Sequence, residues 1–238
     1  MNAVIDAGNT RAKAGIFSGR ELKEKFAFDS IDQLKDFLTK NTFDNVLISS
    51  VGISAIELAE SANVIDMSIT LSHVLPLPIK ILYATPHTLG VDRIAAACGA
   101  IELFPEQNTL VIDAGTCINY EFVDAQSNYH GGAISPGIEM RFKAMNTFTA
   151  RLPLVSLNKE VDLIGNSTES CIQSGVMNGV LGEIDGMIQR YKEKYPELNV
   201  VLCGGDAPLF ENRLKPTIFA APDLVLMGLN RILRYNAS

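Results

Sequence analysis

In the string GVDR, residues 90–93, a carboxylate and a guanidinium stand side by side where a glycine hands over to a helical pattern. A helix N-terminus favours an ionised Asp92. Such a carboxylate can accept the proton of an alcohol while a phosphoryl group moves in line onto the oxygen. Arg93 suits an anionic partner, because a guanidinium grips a carboxylate through two parallel hydrogen bonds. The pair also reads as a capped helix start with a local ion pair, since adjacent exposed charges are ordinary.

A second kind of chemistry lies in two glycine turns. AVIDAGNTRAKAGIF, residues 3–17, returns as LVIDAGTCINYEFV at 110–123. Each copy is an apolar strand, then Asp-Ala-Gly with a threonine just after, then a second alternating strand. Successive backbone N–H groups in a tight turn form an anion-binding concavity, and glycine lets the backbone come close. Asp6 could hold Mg²⁺ through water, Thr10 adds a hydroxyl donor, and Lys13 or Arg11 neutralises charge. Two such hairpins facing one another would clamp a triphosphate from both sides. Either turn alone would be read as no more than a good turn. The repetition of the whole unit points to duplication, hence to two related halves.

The elements that must position these residues alternate between helix and strand. Ser30 opens a capping box with Gln33, and Ile31, Leu34, Phe37 and Leu38 then share a helical face. NVLISSV at 45–51 reads as a buried strand and ISAIELAES as a short helix after it. VDRIAAACGAIELF at 91–104 is helical, with Ile94, Ala97, Cys98 and Ile101 inward. GGAISPG at 131–137 reads as a loop before a helix carrying Ile138, Phe142 and Met145 at core spacing. A longer helix follows Ser167 and Thr168, NVVLCGGD at 199–206 is a strand with another glycine turn, and the last helix spans about 223–234. In the long helix, Gly175, Gly179, Gly182 and Gly186 form a stripe that costs about 1 kcal/mol per glycine relative to alanine. Close packing within the chain is the plainer reading of it, and a subunit interface the sharper one.

The 238 residues, 47% hydrophobic and 20% charged, suffice for one large domain or two small ones. No apolar run reaches the roughly 18 residues of a membrane helix, and the start lacks a basic, signal-like stretch. No membrane partner and a cytoplasmic location are therefore expected. Cys98, Cys117, Cys171 and Cys203 form no CxxC pair, and His73, His87 and His130 are too scattered for a metal cluster. A net charge of −7 without a basic run argues against nucleic acid as partner.

The paired strand–DxG–strand turns resemble the actin, sugar kinase and Hsp70 ATPase group; the Walker A string GxxxxGK[ST] is absent. Within that group the chain is similar to type III pantothenate kinases over nearly its whole length. The similarity rests on DAGNTRAK at 6–13, TPHTLGVDRIAAACGA at 85–100, DAGTCINYEF at 113–122, GGAISPG at 131–137, GNSTESCIQSG at 165–175 and CGGD at 203–206. The resemblance implies an α/β fold of two duplicated ribonuclease-H-like domains, 1–104 and 105–238, each a mixed five-stranded sheet with flanking helices. It implies ATP-dependent phosphorylation of pantothenate to 4'-phosphopantothenate, the first step toward coenzyme A. Asp92 would be the proton acceptor. Tyr83, Gly90, Val91, Asp92, Arg93 and Thr168 would contact pantothenate, Thr168 from the neighbouring subunit of a homodimer. Asp6, Ala7, Gly8, Asn9, Thr10, Arg11, Ala12, Lys13 and Thr116 would hold ATP with Mg²⁺ near Asp6, and Asp113 would bind a monovalent cation, K⁺ or NH₄⁺. The GG pair at 204–205 resembles the group's adenosine-side loop.

Two departures stand out. Val91 replaces the commoner alanine and narrows that wall, and Asn119 stands where threonine is frequent. Two other readings stay open at this point: a nucleotide-binding regulator of the same family with reduced catalysis, and a related kinase with a different acceptor. The intact set of Asp6, Asp92, Arg93 and Asp113 favours the catalytic reading.

Overall fold

The structure is a computed structural model that describes residues 1–8, 12–50, 55–158, 160–211, 213–214 and 218–237. It forms two compact units, one of Met1–Glu106, Val123–His130 and Asp223–Ser238, the other of Gln107–Phe122 and Gly131–Pro222.

The first unit begins with an antiparallel hairpin of β1 (Asn2–Ala7) and β2 (Ala12–Ser18), extended by β3 (Glu21–Phe28). Helix α1 (Ile31–Lys40) starts at Ser30, whose side chain accepts the Gln33 N–H, while Gln33 returns a bond to the Asp29 N–H. Strand β4 (Thr42–Ser50) lies parallel to β1, and β5 (Asn63–Thr70) parallel to β4, with α2 (Ala55–Ser61) between them. The sheet order is β3-β2-β1-β4-β5. Alternation decides its faces: Ala3, Ile5, Val46 and Ile48 point into one apolar cluster with Leu34 and Leu38.

After β6 (Lys80–Ile81) and a single 3₁₀ turn, Pro86–Thr88, comes α3 (Val91–Leu103). The spacing predicts one inward face, but every residue from Arg93 to Ile101 is buried. The reason is a second helix, α6 (Leu224–Asn236), against which it packs. A β-carbon on Gly228 would fall 1.8 Å from the Ala95 carbonyl oxygen, and one on Gly99 would fall 2.4 Å from that of Leu224. The two backbones approach as closely as glycine allows. At the far end of α3, Glu102 ties down α6 by accepting from Arg234 and pairing with Arg231.

The second sheet repeats the plan. Strands β7 (Thr109–Ala114), β8 (Cys117–Val123) and β9 (Asn128–Pro136) follow one another, and β10 (Asn199–Cys203) and β11 (Ile218–Ala220) run parallel to β7 on its other side. The order β11-β10-β7-β8-β9 matches the first sheet, with the two-residue β6 added beside β9 at Asn128 and Tyr129. The duplicated fold class is thus present, and the second sheet has one strand more than expected. GGAISPG is a correction: 131–136 is strand, not loop. Its glycines serve a close strand contact, since a β-carbon on Gly132 would lie 1.6 Å from the Tyr120 carbonyl oxygen.

Helices α4 (Ile138–Thr147) and α5 (Thr168–Lys194) cover this sheet. The glycine stripe of α5 packs against none of the described residues: a β-carbon on Gly175, Gly179, Gly182 or Gly186 would meet nothing of them within 4 Å. These two settings predict opposite outcomes for one substitution. Gly228→Ala lowers stability by about 1–3 kcal/mol through overpacking. Gly179→Ala, at dilutions where any association is lost, leaves it unchanged or raises it by up to about 1 kcal/mol. Urea unfolding midpoints measure both.

Candidate active site

In the first unit, Asp6 is half-buried at the end of β1, opposite the exposed Lys13 of β2 and the buried Ser49 of β4. Asn9, Thr10 and Arg11, expected to hold nucleotide, lie outside the described residues; Gly8 is half-buried at the start of that turn, between the buried Ala7 and Ala12.

GVDR starts α3 as its spacing predicts. Gly90 is the N-cap residue, Val91 is half-buried beside it, and the Asp92 Oδ1 accepts the Arg93 backbone N–H at 2.9 Å. That satisfies one of the donors every helix start leaves without a partner. A β-carbon on Gly90 would fall 2.4 Å from the same Oδ1, so any larger residue here would displace the Asp92 carboxylate from this position. Among the described residues the other oxygen, Oδ2, takes no hydrogen bond, so Asp92 keeps one oxygen that can receive a proton. Arg93 is only 8% exposed, and its guanidinium lies 5.6 Å from the centroid of the Tyr83 ring. Tyr83 tilts in turn against the buried Tyr129, at 6.3 Å. A stacked, desolvated guanidinium is held in orientation, and cation–π contact strengthens as water is excluded. Before it, the Thr85 and Thr88 hydroxyls bond to each other at 2.8 Å, and Thr88 also donates to the Thr85 carbonyl. Three sequence-predicted residues, Tyr83, Asp92 and Arg93, therefore share one place.

In the second unit two other motifs converge on the Asp113–Thr116 turn. A β-carbon on Gly137, from GGAISPG, would fall 2.1 Å from the Gly115 carbonyl oxygen, and the Gly137 N–H donates to the Thr116 carbonyl at 3.1 Å. Gly204, from CGGD, has φ +94, and a β-carbon there would fall 2.2 Å from the Ala114 carbonyl oxygen and 2.5 Å from Asp113 Oδ1. The Asp206 N–H donates to the Ala114 carbonyl at 2.9 Å. Asp206 titrates above its ordinary range, through burial and then the nearby charge of Glu139. Thr116 is exposed at the tip of the turn, with Asp113 half-buried behind it.

This convergence is held by a cluster that the sequence did not announce. Glu183 of α5 accepts from Tyr120 of β8, Ser135 of β9 and Arg141 of α4, and Arg141 also donates to the Pro136 carbonyl at 2.8 Å. Burial opposes ionisation of Glu183, but the hydrogen bonds from Ser135 and Arg141 and the Arg141 charge outweigh it and hold the carboxyl below its usual range. Burial together with Glu183 pushes the Tyr120 hydroxyl up. The cluster fixes Pro136 and Gly137, and through them the turn. Only the Ser-Pro-Gly string hinted at it; Arg141 and Glu183 carry no motif.

Thr168 belongs to the second unit. It is exposed at the start of α5, where Ser167, not Thr168, is the cap, with a reciprocal bond to Ser170. It lines an open depression of about 770 Å³ with Met145, Leu152, Asn166, Cys171 and Ile172.

Because the folded-state pKa of Glu183 is depressed, its ionised form stabilises the protein above the unfolded value and that contribution is lost as pH falls through the folded one. Glu183→Gln is accordingly less stable than the wild type at pH 7, and the difference closes as pH falls below about 4.5. Thermal melting across pH 3–7 measures it.

The chain matches the family model described as type III pantothenate kinase over residues 3–190. It is 46% identical over 240 residues to the type III pantothenate kinase of Cytophaga hutchinsonii, covering 99% of this chain and 100% of that one. Among solved structures it resembles a Campylobacter jejuni protein of the Baf transcriptional-activator family, with TM-score 0.68, 24% identity, and 99% and 98% of the two chains covered. It also resembles a Listeria monocytogenes protein proposed to be an N-acetylmannosamine kinase, with TM-score 0.55, 13% identity, and 100% and 99% covered. These two likenesses concern the fold, which is that of the actin-like ATPases and sugar kinases. With four-fifths of its length under the family model, the chain belongs to the type III pantothenate kinase family.

Proposed function

We propose that this protein transfers the γ-phosphoryl group of ATP to the primary hydroxyl of pantothenate, giving 4'-phosphopantothenate and ADP in the first step toward coenzyme A. The observation that carries this reading is the start of α3, where Asp92 keeps one carboxylate oxygen open beside the oriented guanidinium of Arg93. Arg93 holds the substrate carboxylate, with Tyr83, Gly90 and Val91 forming the wall around it. Asp92 takes the hydroxyl proton as the new P–O bond forms and the bond to the ADP oxygen breaks. Thr168 reaches the same substrate from a second copy of the chain.

Asp6, Ala7, Gly8, Asn9, Thr10, Arg11, Ala12 and Lys13 bind phosphate from the first glycine turn, and Thr116 does so from the second. Mg²⁺ near Asp6 would neutralise phosphate charge when bound. Asp113 offers a half-buried carboxylate and its turn offers backbone carbonyls, and oxygen ligands of this kind are what a monovalent cation, K⁺ or NH₄⁺, would take there. The duplication divides the chain near residue 105, with the segments Val123–His130 and Asp223–Ser238 returning to the first unit.

We further propose a homodimer. The unpacked glycine face of α5 and the strongly exposed Phe148, Leu163 and Ile164 support it, because apolar and backbone surface of this kind favours burial against a partner. A cytoplasmic location accords with the substrate; no helix among the described residues is long and apolar enough to cross a membrane.

Asp92→Asn folds and binds ATP, yet its kcat falls by about 10²–10⁴ in a pantothenate-dependent coupled assay. Near-normal turnover would remove Asp92 as base. Arg93→Lys raises the KM for pantothenate by about tenfold or more, because a point charge replaces a two-pronged grip. Gly182→Leu shifts the wild-type dimer to monomer in sedimentation; an unchanged mass would clear α5 of that role.

A further inference from the structure

Ser49 is fully buried on β4, and its hydroxyl has no hydrogen-bond partner among the described residues. The other buried polar side-chain atoms in that condition, Asn230 Oδ1 and the Nε atoms of Arg231 and Arg234, all sit on α6, where both arginines share the Glu102 carboxylate. A buried hydroxyl without a partner costs stability, and a strand core offers many residues that would avoid the cost.

The fold does not require a hydroxyl at this place. In the second sheet the corresponding position, beside Asp113 in the β7–β10 ladder, is Cys203, 1% exposed. Asp6 and Ser49 are register partners in the parallel β1–β4 ladder. Neighbouring strands lie about 4.8 Å apart, and register partners project from the same face. That face is opposite the one through which Ile5 and Ile48 join the apolar cluster. Asp6 is half-buried where Ser49 is fully covered, so its carboxylate is a polar group on the same face as this hydroxyl.

We propose that Ser49 is a positioning residue for phosphoryl transfer: its buried hydroxyl donates to the Asp6 carboxylate in the nucleotide-loaded state and fixes which carboxylate oxygen faces the Mg²⁺ water shell. The missing partner in the structure is then supplied by the loaded site, and the stability cost is tolerated because function needs the group. This inference rests on the reading of Asp6 as the residue that faces Mg²⁺.

The two roles a buried serine can have predict opposite results for Ser49→Ala. Melting temperature without ligands is measured first, then the Mg²⁺ concentration giving half of the shift produced by a non-hydrolysable ATP analogue, without pantothenate present. Unliganded Ser49→Ala melts at the wild-type temperature or above, whereas its half-saturating Mg²⁺ concentration rises fivefold or more, its pantothenate KM is unchanged, and Ser49→Thr restores part of the effect. A Mg²⁺ dependence equal to wild type overturns the proposal, as does an unliganded protein that melts well below wild type, which marks a packing role. Asp6→Asn is run alongside. If it abolishes the Mg²⁺ response while Ser49→Ala leaves it intact, only the role of Ser49 falls; if Asp6→Asn also leaves it intact, the reading of Asp6 falls with it.

Discussion

The second unit depends on how closely polypeptide backbone can approach backbone at the end of β7. The carbonyl oxygens of Ala114, Gly115 and Thr116 each have a neighbouring glycine at a distance where no β-carbon fits. Two chain segments far apart in sequence, at Gly137 and Gly204, thereby press on a turn of four residues. Hydrogen bonds from the Gly137 and Asp206 N–H groups to the Thr116 and Ala114 carbonyls lock the arrangement. A turn held this way, with its Gly115 N–H also donating to the Cys117 carbonyl at 2.9 Å, keeps its shape without help from a ligand, and a preformed shape lowers the ordering cost of binding.

The same economy operates at α3. Asp92 is held by the peptide group that follows it, and Arg93 by an aromatic ring that itself leans on a buried tyrosine. Positioning of this kind is local, cheap in entropy and resistant to solvent. The glycines that matter do so for contact: Gly90 spares the Asp92 oxygen, and Gly99 and Gly228 let two helices touch.

Much of this was legible in the sequence. The internal repeat revealed two sheets of equal order, because a strand–turn–strand unit with its aspartate is fixed by side-chain alternation and turn chemistry, both local properties. GVDR announced a helix start with its charges in the first turn. What stayed hidden was set by distant partners. GGAISPG has the composition of a loop, and only the Tyr120 carbonyl pressing on Gly132 explains why it is a strand. The glycine stripe of α5 has the spacing of packed helices, yet none of the described residues meets it. Arg141 and Glu183 lie on different helices, and no spacing rule connects them. Ser49 looked like one more residue in an apolar strand until its hydroxyl was found without a partner.

Helix α6 belongs to the first unit although it follows the whole of the second in the chain. Its Gly228 and Leu224 cover the Ala95–Gly99 stretch of α3. Domains generally fold as units, in the order in which the ribosome delivers them. Here the earlier-made unit must wait with α3 uncovered until α6 emerges, so the nascent chain carries an unfinished apolar groove throughout synthesis of the second unit, and the helix bearing Asp92 is sealed only after that unit has been made.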